Sequence, residues 1–166
     1  DKSGQPLGAH LWGSGFLPTR HQGVLLRAAK DPVLYLGNPD GVNPESRRMM
    51  LDRLRELNEV KLSQTEDAEI QNRIEHYEMA YSMQSSVPEA ADLSGESRST
   101  LDSYGPDVEK PGSFAANCLL ARRLAERGVR YIQLYHQDWD HHGGLPGALP
   151  KLCKETDQPA AALVQD

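Results

Sequence analysis

The sequence predicts an α/β fold, mostly helical with one or two strands, and three observations carry that reading. A helical pattern over 114–127 closes on Gly128 and leads at once into the apolar run 129–135. That run opens into a segment dense in imidazole and carboxylate, His136-Gln137-Asp138-Trp139-Asp140-His141-His142-Gly143-Gly144. A further helical pattern follows from Leu145. Helix, glycine stop, strand, polar loop, helix is the grammar of a parallel sheet with helices packed on it. Open sheets of this kind place their sites just past the carboxyl ends of strands.

Residues 1–43 carry Gly or Pro every few positions, from Gly4 to Gly41, and little regular structure fits that density of breakers. Val33-Leu34-Tyr35-Leu36 is the one run there that suits a short edge strand. Asn43-Pro44-Glu45 then starts a helix: Asn43 caps free amides, Pro44 suits the first helical position and Glu45 faces the positive end of the dipole. Met50, Leu54 and Leu57 follow at helical spacing, and this helix is expected to reach about Leu62. A second begins at Ser63 or Thr65, with Glu66 and Asp67 in its first turn and Ile70, Ile74, Tyr77 and Tyr81 along one face. Two such helices joined by a short polar turn predict an antiparallel hairpin over 44–84, its charged faces in solvent. Val87-Pro88 is expected to break the second helix. Between 88 and 112 only short turns fit, at 88–93 and 97–104. Ser113 caps the helix over 114–127, with Leu119, Leu120 and Leu124 inward. A helix over 145–154 tolerates Pro146 in its first turn, and Thr156 or Asp157 restarts or continues it.

The chain has 166 residues, 18 Lys and Arg against 24 Asp and Glu, and a net charge of −6 with the two signs interspersed. No basic stripe stands out, which argues against nucleic acid as a partner. No apolar run approaches the ~18 residues of a membrane span. Cys118 lies in a helical pattern beside Leu119 and Leu120 and reads as a buried, inert thiol; a pairing with Cys153 stays open. The chain opens at Asp1 and stops within an apolar helical pattern, so it reads as the central piece of one larger domain. Its parts are a loop region (1–43), a helical hairpin (44–84) and a helix–strand–loop–helix (113–166). One strand is not a sheet, and its neighbours would come from the remainder of its own polypeptide.

The loop after residue 135 is the candidate site. Neutral nitrogen and anionic oxygen held close together suit borderline and hard divalent cations. Asp140 and His142 are two apart and point the same way in an extended loop. Asp138 and His142 are four apart and converge if the loop curls into a helical turn. His136 serves as a third ligand or as a supporting group, and His141 ranks below the others because it faces away from Asp140 in an extended loop. Two protein ligands are too few for a tight site, so more must come from other segments. The plainer alternative is that His136 and Asp138 hydrogen-bond loop backbone while the other histidines are exposed. Ser14, between Gly13 and Gly15, resembles a nucleophile elbow but lacks the glycines two residues to either side. Arg20 is a weaker candidate for clamping an anionic substrate group.

Several segments together bring a family resemblance. Trp12-Gly13-Ser14-Gly15-Phe16-Leu17-Pro18 with His21-Gln22-Gly23, Leu34-Tyr35-Leu36 before Asn38-Pro39, and Tyr131-Ile132-Gln133-Leu134 leading to Trp139-Asp140-His141-His142-Gly143 resemble the sulfatase-like "domain of unknown function 1501" proteins. Asp157-Gln158-Pro159 before Ala161-Ala162-Leu163 adds to the likeness. The resemblance implies an alkaline phosphatase-like, parallel-sheet α/β fold of which this chain is the middle. It implies one or two divalent metals (Zn, Ca or Mg) that position a small-molecule or glycan sulfate or phosphate ester for attack by a protein nucleophile. That nucleophile would precede Asp1, further metal ligands would follow Asp166, and the chain alone would be inactive. It also implies twin-arginine export, hence a periplasmic or exported protein. Asp140 and His142 would be the central ligand pair. In well-known phosphatases of that superfamily three residues separate the equivalent Asp and His, which Asp138 and His142 reproduce, whereas the family motif points to Asp140; Asp140 therefore ranks first. The competing expectation is a non-catalytic exported binding or scaffold protein, its cluster purely structural. A helical domain that binds another protein through 44–84 is a third.

Overall fold

A computed structural model describes residues 15–17, 21–27, 33 and 36–166. Five helices are present among them: α1 (Pro44–Thr65), α2 (Ala68–Ala91), α3 (Arg98–Tyr104), α4 (Phe114–Glu126) and α5 (Leu145–Gln165). They fall into two compact units. One holds α1 and α2 as far as Pro88; the other holds the last turn of α2 with α3, α4 and α5.

The first unit begins at the predicted cap. Ser46 N donates to Asn43 Oδ1 at 2.7 Å, with Pro44 in the first turn. The helix runs three residues past the expected end and closes on Glu66, a non-glycine residue at φ 53° whose N–H reaches Leu62 O. Arg48 ties α1 to α2. Its two terminal nitrogens meet both carboxylate oxygens of Glu78 at 2.8 and 2.7 Å, and its guanidinium lies 4.9 Å from the centre of the Tyr81 ring. The stripe of Met50, Leu54 and Leu57 is not the packed seam its spacing suggests. All three are exposed, Leu57 to 68%, and Leu51 is the buried residue of α1. On α2, Ile70 and Ile74 are buried as the spacing predicts, while Tyr77 is exposed. Pro88 does not break α2, which continues to Ala91.

In the second unit three helices close round one core. Leu101, Tyr104, Val108, Ala115, Cys118, Leu119 and Ala162 are buried together. Serine caps start two of the helices: Thr100 N donates to Ser97 Oγ, and Ala116 N donates to Ser113 Oγ, both at 3.0 Å. The glycine stop of α4 is a Schellman turn: Gly128 sits at φ 88°, its N–H on Ala125 O, and Val129 N–H reaches Leu124 O. The helix after Gly144 is one element of 21 residues that contains Pro150 and Pro159. Gln158 on α5 donates to the carbonyls of Asp102 and Ser103, both at 3.1 Å, and so satisfies the end of α3.

The expected α/β fold is overturned. The described residues are helical and contain no strand and no sheet, so the alkaline phosphatase-like parallel-sheet arrangement does not hold for this chain. The run 129–135 is irregular rather than a strand. Its period-two pattern is nonetheless real: Ile132, Leu134 and His136 are half-buried, while Tyr131, Gln133, Tyr135 and Gln137 are exposed. Alternation of that kind answers to burial of one side, which Leu134 achieves by packing on the helical core. A strand also needs a ladder partner, and none is present among the described residues. Of the suggested strand at 33–36, residues 34 and 35 lie outside the described residues; Val33 and Leu36 are not in a strand.

Candidate metal centre

The segment 136–142 leaves the core at Leu134 and ends at Gly143-Gly144, where α5 begins without a side-chain cap. Within it the two leading residues converge. His142 Nε2 lies 3.3 Å from Asp140 Oδ2, and both side chains are open to solvent, 87% and 88% exposed. That spacing suits two ligands of one divalent cation on an accessible edge, as two of the four or more such an ion takes. Asp138 takes a different part: it is a non-glycine residue at φ 69°, so it forms the kink in the loop. Aspartate tolerates that left-handed backbone better than most residues do. No group of three His, Cys, Asp or Glu able to hold an ion occurs among the described residues.

His136 faces a partner that the sequence did not suggest. Its Nε2 is 3.4 Å from Glu155 Oε2 on α5, and its side chain is 17% exposed. Phe114 and Trp139 meet its ring edge-on, with centroids 5.3 and 5.7 Å away. His136 Nδ1 and His141 Nε2 are both removed from solvent without a hydrogen-bond partner. The plainer sequence reading, in which His141 is simply exposed, therefore does not hold. Glu155 escaped sequence reasoning because it reads as one more solvated helix acid, four residues after Lys151, whose Nζ is 3.9 Å from it.

The remaining candidates separate from this loop. Arg20, Ser14 and Gly13 lie outside the described residues. Cys118 and Cys153 are both free thiols, and burial pushes the Cys118 thiol up to about 11, away from nucleophilic use. No helix is long and apolar enough to cross a membrane among the described residues.

Comparison with curated proteins and with solved structures finds no match. The family described as "Protein of unknown function (DUF1501)" matches residues 1–166. The match spans the entire chain, so the protein belongs to the DUF1501 family.

Proposed function

We propose that this chain supplies part of a divalent-cation site in a hydrolase of sulfate or phosphate esters, with Asp140 and His142 as its ligands. The single observation behind this reading is the meeting of the Asp140 carboxylate and the His142 imidazole at 3.3 Å on an open edge of the loop. The ester class rests on the likeness of Trp139-Asp140-His141-His142-Gly143 to sulfatase-like proteins. Asp140 would supply anionic oxygen and His142 a neutral ring nitrogen. An ion bound there would polarise a sulfuryl or phosphoryl oxygen and lower the pKa of its water. Zinc, calcium and magnesium all accept an Asp oxygen, and the imidazole favours zinc among them.

Aryl sulfate and aryl phosphate turnover by the protein as its gene encodes it tests this reading. Activity should vanish with chelator, return with added cation and be lost in Asp140→Ala. Turnover indifferent to chelator and to Asp140→Ala would contradict it.

A second reading, a non-catalytic binding or scaffold role, is favoured by a different observation. Met49, Met50, Leu54, Leu57 and Val60 are exposed on α1. Apolar patches of this kind often mark interaction surfaces. A stable protein that carries no metal and turns over neither ester would favour this second role.

A further inference from the structure

We propose that Glu155 is a positioning residue for His136: it holds the ring proton on Nε2 and leaves the Nδ1 lone pair as the donor His136 brings to a divalent cation. The inference rests on the cation reading above and extends it to a residue on another element.

Glu155 Oε2 is 3.4 Å from His136 Nε2. A carboxylate there attracts an N–H and repels a lone pair, so it selects the tautomer with the proton facing it. The other nitrogen is then a bare acceptor. It is removed from solvent and has no hydrogen-bond partner. The opposite tautomer is worse on both sides, with a lone pair against the carboxylate and a buried N–H lacking an acceptor. Leaving a buried acceptor unpaired is destabilising, and an atom of this kind calls for an ion or water as its partner. Carboxylate, imidazole and free lone pair in that order are the arrangement of metal-binding histidines, in which the carboxylate fixes the tautomer and raises ligand basicity. Phe114 and Trp139 hold the ring plane by edge contacts, which leaves the tautomer to Glu155. Lys151 Nζ, 3.9 Å from the other Glu155 oxygen, completes a line from cation to carboxylate to imidazole along α5. The described residues do not gather His136, Asp140 and His142 into one group of three.

Nitrogen-15 NMR of the imidazoles in metal-free protein, above the titration range of histidine, tests the assignment, followed by zinc titration. Wild type should show His136 protonated on Nε2 alone. Glu155→Ala should give mixed tautomers and bind zinc roughly 10–100-fold more weakly. Glu155→Gln, which keeps an oxygen facing Nε2, should keep the tautomer and most of the affinity. A wild-type proton on Nδ1, or a Glu155→Ala protein with unchanged tautomer, would overturn the positioning role. If the tautomer shifts as expected but wild type takes up no zinc, the cation reading fails and the donor role of Nδ1 fails with it, while the Glu155–His136 pairing stands.

Discussion

Arg123 does three things with one guanidinium. Its Nε donates to Ala90 O at 2.7 Å and its Nη2 to Glu89 O at 2.9 Å, satisfying carbonyls at the end of α2, while Nη1 meets Glu96. Glu96 is also bound by Arg122, and its side chain is 8% exposed. Burial by itself would raise the Glu96 carboxyl, but the hydrogen bonds from Arg123 and Arg122 outweigh it and hold the group below its ordinary value. Arg123→Ala leaves Glu96 with Arg122 as its partner but removes the donors to the Glu89 and Ala90 carbonyls, so it should lower stability by about 1–3 kcal/mol, read from urea midpoints. The same network sets an acid dependence. A carboxyl lowered in the folded state contributes stability above its unfolded value, and that contribution disappears as pH falls through the lowered folded value. Glu78, held down by Arg48, acts in the same direction. Stability should therefore decline once pH drops below about 4, with a shallower decline in Glu96→Gln. A protein that gains stability on acidification from neutral pH would contradict this. Gly105 is a further constrained position: its φ is 100°, and a Cβ there would come within 3.0 Å of Gln158 Oε1. Gly105→Ala should cost about 1–3 kcal/mol, seen as a lower melting temperature.

At the scale of elements, what could be read from sequence was what short-range chemistry decides. Asn43 and Ser113 each cap the helix they were expected to start, because a cap involves only the next three residues; Ser97 caps α3 in the same way, where only a short turn was expected. Gly128 stops α4 for an equally local reason. Prolines misled, since their local penalty of about 3 kcal/mol can be offset by packing along the rest of the helix. In α5 that packing comes from Leu152, Pro159 and Ala162, all buried. Pro150 is exposed and has no such role, so Pro150→Ala should restore an amide and stabilise the helix, by up to about 3 kcal/mol. An unchanged or lower denaturation midpoint would contradict that. The run 129–135 misled in the other direction. Its alternation is genuine, but a strand is defined by a distant partner, which a local pattern cannot report. Amides of Arg130 to Tyr135 should exchange far faster than those of Cys118 to Ala121 in α4; equal protection would mean that a ladder exists.

For the whole molecule, the sequence anticipated that Asp140 and His142 lie side by side but not what surrounds them. Asp140 and His142 meet as their spacing of two suggests, because that geometry depends on one short stretch of backbone. Glu155 was invisible because its meeting with His136 depends on where α5 lies against the loop. The fold class failed for a related reason: a sheet is an assembly of remote segments, inferred here from one segment and a resemblance. The stripe on α1 failed because helical spacing marks a face without saying what, if anything, covers it. The proposed hydrolase needs Asp140 and His142 to bind one cation together. Calorimetric titration of the protein with zinc, alongside Asp140→Ala, His142→Ala and the double variant, measures that most directly. We predict saturable binding in wild type, at least tenfold weaker in each single variant, with the double variant little worse than either, as expected for two ligands of one ion. Equal affinity in wild type and both single variants, or no binding at all, would contradict the account.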